Sequence, residues 1–306
     1  MKPRDIAAPD FDLQMTLDSG QVFHWEKHGD GFVGTIGDRP FYVEQRDGKL
    51  FFLGGKGGLI ANYFALDHPL AEICASFPQD AIMNAAREFC CGLRIIRQPR
   101  WECLATFICS SMKQVAHIRQ ISRALRHRYG ERHQLADIEL HSFSAAERIA
   151  RTSEAELRAC ALGYRAKNLL ATARLVASGE ADLESWSALP DDELRTRLCA
   201  LPGVGAKVAN CVMLFAYERL RAFPVDVWIE RILKEKYFTR KPRVTAQHLR
   251  DFSATYFGEH GGYAQQYLFH HARKTSSRRR GAAARPRWRR PRRFVSASDV
   301  RYDSRL

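Results

Sequence analysis

The sequence predicts an α+β protein in which an N-terminal antiparallel β-sheet is followed by a mostly helical region. In residues 10–55, short apolar runs alternate with turn signals, which is typical of strands. From about residue 60 to residue 272, apolar residues recur at helical spacing and are interrupted by glycine and proline. With 306 residues, 45% of them apolar, the chain can bury a substantial core and form two or three subdomains.

Three turn signals divide the N-terminal region into strands. They are His28-Gly29-Asp30-Gly31, Gly37-Asp38 and Asp47-Gly48. Glycine-containing pairs between apolar runs are typical of tight hairpin turns. We therefore expect two or more antiparallel strands here, with one face of the sheet buried.

Glycine and proline also mark the ends of several predicted helices. Gly130, Gly163 and Gly179 stand where helix C-terminal caps are expected. Pro190 precedes the start of another helix, a position that proline tolerates well.

The positive charge of the chain is concentrated in its last segment. The net charge is +14, but residues 273–306 hold 13 Lys or Arg against 2 Asp or Glu, which leaves only +3 for the rest. This segment lacks apolar periodicity, so we expect it to be disordered, either as a nonspecific DNA-binding tail or as an extension without function. We accordingly divide the chain into a β-rich domain (1–95), a helical domain (96–272) and an Arg-rich tail (273–306).

The cysteines and the apolar runs exclude several classes of protein. Eight cysteines are scattered at positions 74, 90, 91, 103, 109, 160, 199 and 211, and none forms a C-x2-C pair. We therefore expect no zinc or iron–sulfur site, and no other cofactor. The N-terminus lacks the apolar stretch of a signal peptide, and no run reaches the ~18 apolar residues of a membrane-spanning helix. We expect a soluble intracellular protein.

Residues 198–219, LCALPGVGAKVANCVMLFAYER, match the helix-hairpin-helix pattern. Gly203 and Gly205 lack Cβ atoms, so the turn that they form with Val204 can approach a phosphate closely, and we expect all three residues to contact DNA. The N–H groups at the start of the second helix have no partners within that helix, and together with the helix dipole they form an anion site. The motif predicts binding to the DNA backbone without basic side chains.

Two residues near the hairpin suggest chemistry. Lys207 lies in the first turn of the second helix, where the helix dipole and partial burial favour its uncharged amine, a nucleophile for a sugar carbon. Cys211 follows on the same helix face. Asp226 stands at the N-cap of the next helix, after Pro224. By itself Asp226 indicates only a cap, but beside a hairpin lysine it can stabilise positive charge developing on deoxyribose.

Six blocks in this order resemble the helix-hairpin-helix (HhH-GPD) DNA glycosylases, and more narrowly the 8-oxoguanine DNA glycosylase/lyase family. They are LDSGQVFHW (17–25), RQPRWECLATFICSS (97–111), LGYRAKNL (162–169), LCALPGVGAKVANC (198–211), PVDVW (224–228) and GGYAQQYLFHH (261–271). The iron–sulfur cysteines of the endonuclease III and adenine glycosylase relatives are absent. The resemblance implies a TBP-like β domain packed on a helical glycosylase domain made of two helical subdomains, with the lesion pocket between these two.

The resemblance also implies roles for individual residues. It assigns the nucleophile to Lys207 and the carboxylate to Asp226, and it surrounds the extruded base with Gly20, Cys211, Gln265 and Phe269. Physical chemistry supports the base contacts. The N7–H of 8-oxoguanine can donate to a carbonyl such as that of Gly20, whereas N7 of guanine is an acceptor. Gln265 can accept from the Watson–Crick edge, and Phe269 can stack on the ring.

Five further positions are expected to contact DNA, three of them with departures from the family. Met112 and His117 stand where eukaryotic-type members carry the asparagine and arginine that contact the orphaned cytosine. Arg165 keeps the other cytosine-contacting arginine and Tyr164 the neighbouring wedge-like aromatic. Trp228 replaces a phosphate-contacting histidine, and its indole can donate one hydrogen bond but cannot become positive. Since Met112 cannot hydrogen-bond cytosine, we expect a relaxed preference for the base opposite the lesion.

The resemblance implies a bifunctional enzyme that excises 8-oxoguanine through a lysine Schiff base and then nicks the strand by β-elimination. The expected partner is double-stranded DNA containing 8-oxoguanine, with no membrane, and the expected state is a monomer. The alternatives are an alkylpurine glycosylase on the same fold, a non-catalytic helix-hairpin-helix module, and an RNA-binding protein driven by its arginine tail. The Arg and Ala content and residues 112–117 favour a bacterial source, and hence a cytoplasmic, nucleoid-associated enzyme, or a nuclear one in a eukaryote.

Overall fold

A computed structural model describes residues 3–111, 113–239 and 243–283. The N-terminal part comprises β1 (Arg4–Ala7), α1 (Leu13–Asp18), β2 (Glu26–His28), β3 (Gly31–Ile36), β4 (Arg39–Arg46), β5 (Lys49–Gly54), α2 (Gly57–Tyr63), α3 (Leu70–Ala75) and α4 (Ala81–Phe89). Its strands form an antiparallel sheet in the order β1-β5-β4-β3-β2.

All three predicted hairpin turns are present in this sheet. His28 pairs with Gly31, Ile36 with Arg39, and Arg46 with Lys49, so each turn has two residues. One face of the sheet is buried against α1 and α2, in a core that includes the side chains of Phe41, Val43, Leu50, Phe52, Ile60 and Phe64. The sequence prediction of a sheet with one buried face is therefore confirmed.

The remaining described elements are mostly helical. They are α5 (Arg100–Ser110), α6 (Val115–Tyr129), β6 (Arg132–Leu135), β7 (Ile138–His141), α7 (Ala146–Ala150), α8 (Glu154–Leu157), α9 (Arg165–Ala177), α10 (Asp191–Ala200), α11 (Ala206–Ala216), α12 (Val227–Ile232), α13 (Ala246–Tyr256) and α14 (Gly261–Ala283). A π-helical turn at Leu233–Tyr237 follows α12, and the segment Arg158–Leu162, which follows α8, is kinked at Cys160 and Ala161. Of the described helices, none is long and apolar enough to cross a membrane.

Helix α5 forms the centre of the helical part. Its residues from Glu102 to Ser110 are all buried. Phe107 of α5 stacks on Phe215 of α11, with ring centroids 5.5 Å apart and an angle of 13° between the rings. This contact packs α11, the helix that carries Lys207 and Cys211, against α5.

The helical core draws on residues from both sides of the predicted boundary at residue 95. Helices α3 and α4 lie before that boundary, yet Ile73 and Met83 are buried in the same cluster as α5 and α11. Tyr267 of α14 donates a 3.0 Å hydrogen bond to the carbonyl of Leu93. The N-terminal segment therefore contributes two helices to the core that supports α14.

Helix α14 also continues past residue 272, where the sequence predicts the tail to begin, to Ala283. The predicted boundary at residue 272 is therefore corrected, because Arg273 and Lys274 lie on α14 and contact the folded part. Both bind Asp18 at the end of α1, Arg273 through the main-chain carbonyl and Lys274 through the carboxylate. Residues 284–306, the rest of the predicted tail, lie outside the described residues.

Candidate active site

The predicted helix-hairpin-helix is formed by α10, the turn 201–205 and α11. Gly203 has a φ of +82°, and a Cβ added there would lie 2.8 Å from the side chain of Asn168. Gly205 is the N-cap of α11, no side chain caps it, and a Cβ there would meet nothing within 4 Å. The hydroxyl of Thr172 donates a 3.0 Å hydrogen bond to the Pro202 carbonyl and ties the turn to α9. The first N–H groups of α11 are thus left for an outside acceptor.

Val204 differs from its predicted role as a DNA-contacting residue. Its side chain is buried in the helical core, and its N–H donates a 3.1 Å hydrogen bond to the carbonyl of Leu201. A buried valine with an internally bonded N–H has neither a side chain nor a donor to offer a phosphate. Val204 therefore holds the turn from inside, while Gly203 and Gly205 are exposed.

Lys207 and Asp226 face one cavity. The cavity has a volume of about 570 Å³, and both residues line it together with Gly20 and Phe269. The Lys207 Nζ atom lies 5.0 Å from the centroid of the Phe107 ring. A cavity of this size is within the usual range for small-molecule sites.

The predicted N-cap role of Asp226 is confirmed. Its Oδ1 atom accepts a 2.9 Å hydrogen bond from the N–H of Ile229 at the start of α12. Burial raises the pKa of Asp226 above its ordinary value of 3.8, although the bond from Ile229 and the charge of Lys207 oppose that rise. The carboxyl group is thus held beside the amine in a largely desolvated position.

A smaller recess of about 40 Å³ adjoins the cavity. It shares Gly20, Lys207, Asp226 and Phe269 with the cavity and adds Cys211 and Gln265. The structure therefore brings all six predicted catalytic and base-pocket residues together.

Cys211 lies one turn after Lys207 on α11, and both residues line the recess. Burial raises the pKa of the Cys211 thiol, with the Lys207 charge opposing the rise. A buried thiol of this kind offers the recess an apolar, polarisable surface.

Gln265 supplies an acceptor without a partner. The residue is 4% exposed, and in the described part of the chain its Oε1 atom has no hydrogen-bond partner. Phe269 follows one turn later on α14, and a Cβ added at Gly20 would lie 3.1 Å from its ring. A buried acceptor of this kind costs folding free energy unless a ligand supplies the donor.

The predicted DNA-contacting residues are not all presented to solvent. Tyr164 is 58% exposed, and His117 is exposed on α6 without lining the cavity, whereas Trp228 lines it. Arg165 is buried, and its Nε donates a 2.7 Å hydrogen bond to the carbonyl of Ser111. Its guanidinium is therefore used inside the protein in this structure, and its contact with DNA stays a prediction. Met112 lies outside the described residues.

Several side chains at the cavity escaped sequence reasoning. Phe107 contacts Lys207 and lies in the block RQPRWECLATFICSS, but nothing in that block singles it out from its apolar neighbours. Arg273 lies 5.5 Å from the centroid of the Phe269 ring and lines the cavity. Its spacing of four residues from Phe269 was a usable signal. Lys113 and Arg231 also line the cavity.

Two family models together match most of the chain. Residues 5–104 match the 8-oxoguanine DNA glycosylase N-terminal domain. Residues 105–254 match the HhH-GPD superfamily of base excision DNA repair proteins. Among the described residues, no group of three or more His, Cys, Asp or Glu side chains is arranged to hold a metal ion.

Named relatives agree with these matches. The N-glycosylase/DNA lyase OGG1 of Arabidopsis thaliana is 29% identical over 288 residues, which are 87% of this chain and 79% of the relative. The solved structure of MBOgg1 with a low-affinity DNA ligand is 30% identical, with a TM-score of 0.85 over 90% of this chain and 100% of that one. The Clostridium acetobutylicum 8-oxoguanine glycosylase/lyase, bound to double-stranded DNA with cytosine opposite 8-oxoG, is 27% identical, with a TM-score of 0.84 over 90% and 99% of the chains.

Proposed function

Because the chain belongs to the HhH-GPD superfamily of base excision DNA repair proteins and carries an 8-oxoguanine DNA glycosylase N-terminal domain, we propose that it excises 8-oxoguanine from double-stranded DNA and then cleaves the strand. The observation that carries this proposal is the shared cavity of Lys207 and Asp226, beside a recess with an unpartnered acceptor on Gln265. An amine, a carboxyl group and an acceptor for the base are the groups that such a reaction needs.

DNA binding begins at the hairpin. The unpaired N–H groups at the start of α11 bind backbone phosphates, with Gly203 and Gly205 allowing close approach. The damaged nucleotide then leaves the base stack, at a cost of a few kcal/mol. This brings its C1′ atom to Lys207.

The chemistry then proceeds in two stages. Lys207 Nζ forms a bond to C1′ as the bond from C1′ to the base N9 breaks, and the carboxylate of Asp226 stabilises the positive charge on the sugar. The departing base takes one proton from the amine. Opening of the sugar ring, with O4′ taking a proton from solvent, then gives a protonated Schiff base between Nζ and C1′. This imine acidifies the C2′ hydrogens, so loss of a C2′ proton expels the 3′ phosphate by β-elimination.

Selection of the lesion rests on the base recess. The N7–H of 8-oxoguanine donates to the carbonyl of Gly20, whereas guanine presents a lone pair there. An unsatisfied buried carbonyl costs about 1–3 kcal/mol, a useful part of the discrimination. Gln265 Oε1 accepts from the Watson–Crick edge, and Phe269 stacks on the ring.

Borohydride trapping on a duplex with 8-oxoguanine opposite cytosine tests this proposal. The native chain should excise the base and form a covalent complex with DNA on reduction, and Lys207→Gln should do neither. Lys56→Gln, which removes an exposed lysine that lines neither cavity nor recess, is the matched control and should behave like the native chain. Trapping that survives Lys207→Gln would assign the nucleophile elsewhere, and absence of excision by the native chain would refute the activity.

The preference for the opposite base follows from Met112 and His117. Neither can reproduce the contacts that an asparagine and an arginine make with cytosine, so excision rates opposite the four bases should form a shallow ranking. Single-turnover rates on four duplexes that differ only at that base provide the measurement. A strict requirement for cytosine would show that other residues, such as Arg165, read it alone.

We further infer that the protein acts as a monomer in the compartment that holds the DNA. For a bacterial source this is the cytoplasm, in association with the nucleoid, and for a eukaryotic source it is the nucleus. The helix-hairpin-helix and the cavity both belong to one chain, so one copy carries the groups that the reaction needs.

A further inference from the structure

The cavity of Lys207 and Asp226 has an excess of positive charge. Four basic side chains line it, those of Lys113, Lys207, Arg231 and Arg273, and Asp226 is the one acidic side chain among its described lining residues. By contrast, residues 1–272 together carry a net charge of only +3. An excess of positive charge in one cavity destabilises the fold unless an anion binds there.

Two of these four cations are neither paired with a carboxylate, as Arg273 is with Asp18, nor assigned to the chemistry, as Lys207 is. Lys113 and Arg231 are both exposed, and neither forms an ion pair with any residue that the structure describes. Other basic side chains close to the site differ in this respect. Arg119 pairs with Asp18 at 3.1 Å, and Lys274 pairs with the same carboxylate.

Arg231 is also held in position. Its guanidinium carbon lies 5.7 Å from the centroid of the Trp228 ring. The two residues are three apart on α12, so they occupy the same helix face, and both line the cavity. A guanidinium resting on an aromatic face keeps its N–H donors free at the edge, where they can bind a phosphate in pairs.

We propose that Lys113 and Arg231 form a phosphate subsite at the mouth of the cavity, which binds the phosphodiester groups flanking the extruded nucleotide. The inference rests on the proposed function only in that a strand must enter this cavity. A nucleotide held with C1′ at Lys207 carries one phosphate on each side, and these groups cannot follow the base into the recess. Trp228 offers them one neutral N–H, so the charge comes from Arg231 and Lys113.

The salt dependence of binding tests the subsite separately from catalysis. The ligand is a duplex with a single tetrahydrofuran abasic analogue, which contains no base to read and no glycosidic bond to break. For Arg231→Gln and for Lys113→Gln, the slope of log Kd against log salt should fall by about 1 each relative to the native full chain. Arg151→Gln is the matched control, since Arg151 is exposed, lines neither cavity nor recess and forms no ion pair in the described part of the chain.

A neutral phosphate analogue identifies the contact. Replacing one of the two flanking phosphates with a methylphosphonate should lower the slope for the native chain by about 1. The same replacement should have no further effect on the variant that has lost the contacting side chain. The subsite would be overturned if the methylphosphonate and the side-chain substitution lowered the slope additively at both flanking positions. It would also be overturned if both variants kept the slope of the native chain. A native chain that binds the abasic duplex through these residues but leaves 8-oxoguanine in place would refute the proposed function and not the subsite.

Discussion

Asp226 combines a structural and a chemical role in one side chain. Its Oδ1 atom caps α12 through Ile229, and its carboxyl group lines the cavity that contains Lys207. The two roles make different demands, because a cap needs only an oxygen acceptor, whereas stabilising a sugar cation needs negative charge. Substitutions can therefore separate them.

Asp226→Asn should remove the charge and keep the cap. Asparagine caps helices about as well as aspartate, so the free energy of unfolding should change little, whereas excision should slow by about 10²- to 10⁴-fold. Asp226→Ala should lose both the rate and about 1 kcal/mol of stability. Single-turnover excision and urea unfolding of both variants measure the two effects. Native-like excision by Asp226→Asn would show that the charge is not used.

The raised pKa of Asp226 predicts how excision depends on pH. Burial favours the protonated acid, so as pH falls the carboxylate is lost at a higher pH than for an exposed aspartate with a pKa of 3.8. The single-turnover rate should accordingly decline on the acid side through the raised pKa, and the residual rate of Asp226→Asn should lack that decline. An acid limb at or below the ordinary value, or one retained by Asp226→Asn, contradicts this assignment.

At the scale of the elements, the hairpin contains two glycines whose physical surroundings differ. Gly203 has a positive φ and lies against Asn168, so the fold itself requires it. Gly205 has a φ of −98° and open space around it, so the fold could accept a side chain there. That open space is available to an approaching phosphate.

This contrast gives a prediction for the hairpin. Gly203→Ala should destabilise the protein by about 1–2 kcal/mol, because alanine is strained at positive φ and its Cβ meets Asn168. Gly205→Ala should cost less stability but weaken binding to abasic-analogue DNA more than its stability change explains. Urea unfolding and DNA titration of both variants provide the comparison. Equal losses of affinity and stability in the two variants would show that the turn acts only as a structural connection.

The elements that were predictable from the sequence are those with local signals. The turns at 29–30, 37–38 and 47–48 defined the hairpins that link β2 to β5, because dipeptide chemistry fixes them. Strand β1 was missed, since its pairing with β5 joins residues far apart in sequence. The β6–β7 hairpin was missed too, because Ala136 adopts its φ of +52° at the turn without a glycine to announce it.

For the candidate site, the sequence blocks predicted which residues take part but not how their side chains are oriented. Lys207, Cys211 and Asp226 could be grouped from helix spacing and capping, and Gln265 and Phe269 from the resemblance. The burial of Arg165 against the Ser111 carbonyl could not be predicted, since it depends on where α5 ends relative to α9. The sequence assigns Arg273 to the tail, because the Arg-rich segment that follows it lacks apolar periodicity. In the structure Arg273 belongs to α14.

At the scale of the whole molecule, a buried polar network joins the sheet to the helical core. Glu102 of α5 forms an ion pair with Arg126 of α6, and both side chains are nearly inaccessible to solvent. Arg126 also donates a 2.8 Å hydrogen bond to the hydroxyl of Thr35 in β3. His24 Nδ1 lies 3.4 Å from the Glu102 carboxylate, and burial lowers the pKa of His24 well below 6.5, so the ring is neutral. This buried charge pair and its bond to Thr35 therefore help to fix the relative position of the two parts.

Removing one member of this pair should cost far more than removing both. Arg126→Met leaves the Glu102 carboxylate buried without its partner, which should destabilise the protein by about 3–5 kcal/mol. Adding Glu102→Met should recover most of that loss, because an apolar pair has no charge to desolvate. Arg197→Met, which breaks an exposed pair with Glu193, is the control and should cost less than about 1 kcal/mol.

The pH dependence of the single variant separates a charge effect from a packing effect. Burial already raises the pKa of Glu102 with Arg126 opposing the rise, so loss of the guanidinium should raise it further. A carboxyl group whose folded pKa is raised destabilises the fold above that pKa, and the penalty fades as pH falls through it. Urea unfolding should therefore show a larger deficit for Arg126→Met at pH 8 than at pH 5, and no such difference for the double variant. A deficit that is equal at the two pH values would mean that the lost packing of Arg126, and not the stranded carboxylate, holds the sheet to the helical core.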